Sequence, residues 1–146
     1  MKDSKILVVS SSDKVSGSTT SFSYDLKHEL SNPEGDKVKI KMLDLIITAE
    51  SETGDFKSLQ YIGVNANFGQ NVCFPFNNLI GYSYYSRQAN GGTADMWLKQ
   101  NTQCFSVMCP TTPIGIVNFD IVSYNGSILG ATNITDIKII FEVNYC

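Results

Sequence analysis

The chain has 146 residues, 42% of them hydrophobic and 17% charged, with a formal net charge of −3. That length fits one domain whose core folds without disulfide or metal staples, and the apolar content excludes an intrinsically disordered chain. A pI near 5.0 and a single arginine, Arg87, exclude an electrostatic nucleic-acid binder, because phosphate affinity comes from clustered Lys and Arg.

Val, Ile and Thr number 10, 14 and 10, against 5 Ala and 9 Leu. β-branched side chains fit a pleated surface and lose rotamer freedom in helices. With 16 Ser, 12 Asn and 11 Gly to make turns, the composition is that of an all-β protein.

In chain order, residues 6–9 read as a short apolar strand. The same stretch begins like a secretory signal, but four apolar residues fall short of the roughly 7–15 of an h-region, so no signal peptide is expected. Residues 10–20 are polar and rich in turn formers. Residues 21–26 alternate strictly, with Phe22, Tyr24 and Leu26 on one face, the period of a half-buried strand. Leu26 to Leu30 would make one helical turn at most, and residues 32–36, with Pro33 and Gly35, form a turn.

Residues 37–42 alternate again, Lys37, Lys39 and Lys41 facing water, and then pass into Leu43-Asp44-Leu45-Ile46-Ile47-Thr48, where the alternation gives way to a nearly continuous apolar run. This reads as one long strand that either enters a core covered on both sides or is bent by a bulge. An acidic loop follows, with Glu50, Glu52 and Asp55. Apolar clusters at 59–64, 72–76, 79–85 and 95–98 are separated by Gly/Asn turns. Pro75 places its strand at an edge or breaks it. A cluster at 104–109 ends before Pro110 and Pro113. In residues 114–124, Val117, Phe119 and Ile121 share one face and Ile114 and Ile116 the other. Asn125-Gly126 is a hairpin signal. Residues 136–145 close the series, with Ile137, Ile139, Phe141, Val143 and Tyr145 on one face.

Eight to ten short strands at regular spacing predict two antiparallel sheets packed as a sandwich. Eight strands in one domain, residues 1–146, suit a single jelly roll, with residues 10–20 a flexible arm or a loop. The immunoglobulin-like alternative requires a Cys…Trp…Cys order, and Trp97 between Cys73 and Cys104 fits it poorly.

No constellation for chemistry emerges. Cys73, Cys104, Cys109 and Cys146 form no paired zinc motif and read as buried thiols. His28, the sole histidine, reads as a solvated surface residue. The acidic loop lacks the ligand spacing of a calcium loop. Ser16-Gly17-Ser18 is not a phosphate cradle, no Gly-x-Ser-x-Gly elbow exists, and the sequons at Asn125 and Asn133 are of chance frequency. Tyr82, Tyr84 and Tyr85 with Trp97 read as sandwich core before a sugar-binding or interface cluster. The expectation is a protein that is not an enzyme, with no catalytic, cofactor-binding or metal-ligating residues and no cofactor.

The first fifty residues carry a recognisable pattern. Ser11, Asp13 and Lys14 lead into Gly17, Ser18 and Thr19, then the alternating strand with Phe22 and Leu26, then the run Lys37 to Ile47. This resembles the opening of the penton, or minor capsid, proteins of large eukaryotic DNA viruses, virophages and polinton-like viruses. Residues 139–143 are similar to that family's closing strand. Lys14 stands where the family commonly has Arg, which weakens bidentate pairing there, and the chain leaves no room for an inserted outer domain.

The resemblance implies a single jelly roll. Five copies would form a homopentameric ring at each icosahedral fivefold vertex and contact neighbouring major capsid proteins. It also implies a virion location after assembly inside the host cell, with neither nucleic acid nor membrane as partner. The alternative is a lectin-like jelly roll binding glycans or a receptor.

Overall fold

The computed structural model describes residues 4–26, 38–49, 60–68, 71–73, 76–88, 96–104, 106–109, 115–123, 126–130 and 134–145. Strands dominate them: β1 (Ser4–Ser10), β2 (Ser16–Gly17), β3 (Ser21–Asp25), β4 (Val38–Ala49), β5 (Gln60–Ala66), β6 (Asn71–Cys73), β7 (Phe76–Gln88), β8 (Met96–Cys104), β9 (Ser106–Cys109), β10 (Ile116–Val122) and β11 (Ile134–Tyr145). A 3-10 turn, Ser11–Asp13, follows β1.

Two antiparallel sheets result. One has the order β1-β11-β4-β9. The other runs β2-β3-β10-β5-β7-β6, with β8 also paired to β7. Eight strands, β1-β11-β4-β9 opposite β3-β10-β5-β7, make the alternation of a jelly roll, in which the chain repeatedly changes layer. The short β2, the short β6 and the β8 ribbon are additions at the rims of the second sheet. This order is not that of an immunoglobulin sandwich.

Alternation decides which face each strand buries. In β11, Ile137, Ile139, Phe141 and Val143 are buried, and they meet Leu7 and Val9 of β1 and Val38, Ile40, Met42 and Leu45 of β4 in one core. The opposite layer contributes Phe22 and Leu26, Val117, Phe119 and Ile121, and Ile62, Val64 and Ala66. Phe119 sits at the centre, with ring centroids 5.7 Å from Phe22, 6.1 Å from Phe68 and 6.0 Å from Phe141. These tilted and edge-on pairs tie both layers together.

The long strand β4 is bent by a bulge. Ile140 pairs with Asp44 and Phe141 with Met42, so Leu43 has no partner across the ladder. The inward set therefore changes parity, from Val38, Ile40 and Met42 to Leu45 and Ile47. Ile46 points away from the core and is 40% exposed, so the apolar run at 43–47 reflects this change of phase and not coverage on both sides. A second irregularity between Ile134 and Asp136 shifts β11 by one residue against Ala49 and Thr48, and the Thr135 hydroxyl donates to the Thr48 carbonyl at 3.2 Å.

The cluster at 72–76 divides. β6 ends at Cys73, which pairs with Phe76 at the start of β7, and β6 lies at the sheet edge. The Asn-Gly signal closes a turn: Gly126 has a φ of +84°, and its N–H donates to the Ser123 carbonyl at 2.9 Å. The return is a single bridge, Val122 to Ile128, after which β11 joins the other layer. On the opposite flank β8 ends at Cys104 in one sheet and β9 begins at Ser106 in the other.

Candidate functional site

A densely bonded polar group, centred on Asp136, lies where β1 stops and the 3-10 turn begins. Ser10 has an extended φ of −117° and ψ of 135°, and its hydroxyl oxygen accepts from the Ser12 N–H at 3.3 Å, which caps the turn. The register pairs Ser10 with Lys138, so the next ladder position on β11 is Ile137. Its N–H donates to the Ser11 hydroxyl oxygen at 2.9 Å. A side chain thus continues the ladder after the backbone has turned away.

The Ser11 hydroxyl donates in turn to Asp136 Oδ1 at 2.9 Å. The Ser10 hydroxyl reaches the same oxygen at 3.0 Å and the Ser12 N–H at 3.3 Å. Because the Ser10 hydrogen is committed to Asp136, the 2.7 Å contact between Ser10 and Ser12 hydroxyls is donated by Ser12. On the other side Lys138 Nζ stands 3.7 Å from Asp136 Oδ2. Partial burial pushes the Asp136 carboxyl upward, but bonds from Ser11, Ser10 and the Ser12 N–H, with the Lys138 charge, outweigh it. The carboxyl is held below its ordinary value.

This arrangement fastens the turn to β11. The three donors and the Lys138 charge favour the ionised carboxylate, which serves as a fixed acceptor for Ser10, Ser11 and the Ser12 N–H. Its work is to anchor the β1–β2 connection to β11.

The Ser-x-Asp-Lys and Gly-Ser-Thr elements of the resemblance gain local physical meaning here. Ser11 is the buried ladder residue, whereas Asp13 and Lys14 are exposed, and Lys14 Nζ donates to the Ser11 carbonyl at 3.4 Å. Gly17 has a φ of +101°, and a Cβ there would lie 2.3 Å from the Ser21 carbonyl oxygen. Only glycine fits. Ser18 closes the turn, its N–H donating to the Ser21 carbonyl at 2.8 Å and its hydroxyl accepting from the Ser21 N–H at 3.2 Å. Phe22 and Leu26 belong to the core. Residues 10–20 form the 3-10 turn, β2 and this tight turn, and the Thr20 carbonyl accepts from the Ile121 N–H at 2.7 Å.

The outer faces differ between the layers. On the four-stranded sheet, Ile6 pairs with Glu142 and Val8 with Ile140, while Lys138 pairs with Ile46. Ile6 and Val8 are 59% and 47% exposed and, with Ile140 and Ile46, make an apolar stripe across three strands. Exposed Lys39, Lys41 and Lys138 border it. Asp44 and Glu142 are half-buried on the same face. Asp44 accepts from the Leu45 N–H at 2.8 Å, and Glu142 from the Asn144 amide at 2.9 Å. The opposite layer presents Ser21 bonded to Asp120 at 2.7 Å, Ser23 bonded to Asn118 at 2.6 Å, and Asp25 paired with Ile116.

Of the aromatic group, Tyr82 is half-buried on β7, Tyr84 and Tyr85 follow on the same strand, and Trp97 pairs with Arg87. The pairing sets Trp97 across from none of the tyrosines. Cys73, Cys104 and Cys109 fall on β6, β8 and β9, where their main chains pair with Phe76, Gly81 and Val38. His28, the acidic loop with Glu50, Glu52 and Asp55, the turn at 32–36, Asn125, Pro75, Pro110, Pro113 and Cys146 lie outside the described residues.

Asp136 carries no signal in the sequence. Its partners are about 125 residues away, and only the β1–β11 pairing brings them together. Among the described residues no three His, Cys, Asp or Glu side chains gather in a metal-binding group, and no helix is long and apolar enough to cross a membrane. No family model, no curated protein and no solved structure matches the chain.

Proposed function

We propose that the protein is a structural capsid subunit of the penton type, five copies closing into a ring at an icosahedral fivefold vertex and meeting the surrounding major capsid proteins. The observation that carries this reading is the strand order, β1-β11-β4-β9 against β3-β10-β5-β7, in a chain whose opening resembles that capsid family. Jelly rolls of this order serve as capsid and lectin domains. The exposed apolar stripe of Ile6, Val8 and Ile46 favours the first use, because scattered exposed apolar residues are ordinary but a contiguous stripe marks a contact surface. A ring of five needs two different faces on each subunit, since its contacts are head-to-tail. The two layers offer such a pair. On this reading the partners are further copies of the chain and the major capsid protein, the location is the virion, and neither nucleic acid nor membrane is engaged.

Native mass spectrometry and negative-stain microscopy of the purified protein, alone and with the major capsid protein of its source, test the reading. Fivefold rings or vertex incorporation support it. A chain that stays monomeric and never enters particles, yet binds glycans on an array, replaces it with the lectin-like alternative.

A further inference from the structure

β1 is a rim of the four-stranded sheet and pairs with β11 alone. The bond from the Ile137 N–H to Ser11 fixes the phase of that ladder, so Lys5, Leu7 and Val9 direct their N–H and carbonyl groups at Val143, Phe141 and Ile139. Ser4, Ile6, Val8 and Ser10 therefore aim theirs out of the sheet. Among the described residues none supplies a hydrogen-bond partner to those of Ile6 or Val8, and both side chains stand in solvent. Rim strands are ordinarily blunted by a proline, a bulge, several charges or shortness. β1 runs seven residues without a proline, its register with β11 is unbroken, and Lys5 is its one charge.

We propose that this edge pairs, antiparallel, with β1 of a second copy of the chain about a two-fold axis at Leu7. The occupant follows from the symmetry of the strand. Its outward-aimed residues lie at equal steps on either side of Leu7, so the rotation sets every bonding residue of one copy against a bonding residue of the other. Ile6 then faces Val8 in two pairs and Ser4 faces Ser10, apolar against apolar and hydroxyl against hydroxyl. An axis at Ile6 or at Val8 also matches bonding groups, but it sets Val8 against Ser4 or Ile6 against Ser10. With the axis at Leu7 the two four-stranded sheets become one sheet through both copies, and the Ile6 and Val8 side chains shelter one another at its centre. No two copies in a ring of five share a two-fold axis, so this dimer is a form of the free subunit and does not rest on the ring reading.

The test reads amide hydrogen exchange of the full chain, residue by residue by NMR, from micromolar to millimolar concentration, with sedimentation giving the mass. In dilute protein the Ile6 and Val8 amides are expected to exchange at least about a hundredfold faster than those of Leu7 and Val9, which the ladder holds. As a dimer forms, Ile6 and Val8 should gain about tenfold or more in protection. Val8→Pro removes a donor that the monomer leaves unused, so it is expected to keep the fold and to lose at least about tenfold in dimer affinity. Val8→Thr keeps the N–H and the branched shape and should stay within about threefold of wild type. The wild-type exchange pattern decides the matter even where Val8→Pro fails to fold.

Protein that stays monomeric at millimolar concentration, or a folded Val8→Pro that associates like wild type, overturns the pairing. A five-membered ring whose Ile6 and Val8 amides exchange as in dilute protein also overturns it and leaves the ring reading standing. A dimer with both amides protected supports the pairing, and entry into particles then decides the ring reading separately.

Discussion

Replacing Asp136 by Asn leaves an acceptor at Oδ1 but removes the charge that Ser10, Ser11 and the Ser12 N–H converge on at 2.9–3.3 Å. Hydrogen bonds to a charged partner contribute about 1.5–3 kcal/mol each and neutral ones about 1. The three share one oxygen, and the side chain is 20% exposed, so their sum is well below additive. Asp136→Asn is therefore expected to cost about 1 kcal/mol, and Asp136→Ala, which strands the serine hydroxyls, about 2–3. At roughly 3 °C per kcal/mol for a chain of this size, the alanine variant melts about 8 °C lower. The folded-state carboxyl lies below its ordinary value, so its contribution is complete above the unfolded value of about 3.9 and is lost as pH falls through the folded one. Urea melts of wild type and Asp136→Asn should differ fully at neutral pH and converge on acidification, since the other carboxylates cancel in the comparison. A gap that is absent at neutral pH, or unchanged down to acid, would refute the argument.

Three more outcomes follow from the packing. Gly17→Ala forces a Cβ against the Ser21 carbonyl at 2.3 Å with a φ of +101°. It is expected to cost at least about 2 kcal/mol in a thermal melt, and a neutral result would mean that the turn is not held as described. Phe119→Ala empties the centre of the four-ring cluster and should lose about 3–5 kcal/mol by urea unfolding. Deleting Leu43 removes only the unpaired bulge residue and leaves Val38, Ile40, Met42 and Leu45 facing inward, so the variant is expected to fold with a loss of about 1–2 kcal/mol. Insoluble or unstructured protein from that deletion would show that the bulge itself is indispensable.

Much of the fold was legible because period-two patterning is a local property. Phe22 and Leu26, Val117 to Ile121 and Ile137 to Val143 declare their buried faces by alternation alone. The run at 43–47 was ambiguous because a bulge and double coverage leave the same apolar string; only the pairing of Asp44 and Met42 with successive β11 residues separates them. Layer assignment was less accessible. Nothing in residues 104–109 tells that β8 and β9 belong to different sheets, and the Asn-Gly turn predicts a two-stranded return where the structure has one bridge. The Asp136 fastening was invisible, because a carboxylate at the head of a strand looks solvated until its distant serines are placed beside it.

The single residue separating Cys104 from Ser106 has a mechanical meaning. Covalent chain crosses between the layers at that flank through β8 and β9, and at the other through the anchored Ser11–Asp13 turn. The plates are thus stitched along both long sides, so sliding them past one another or opening them like a book would strain the chain at both edges. A block braced at both edges holds its two layers at a fixed separation.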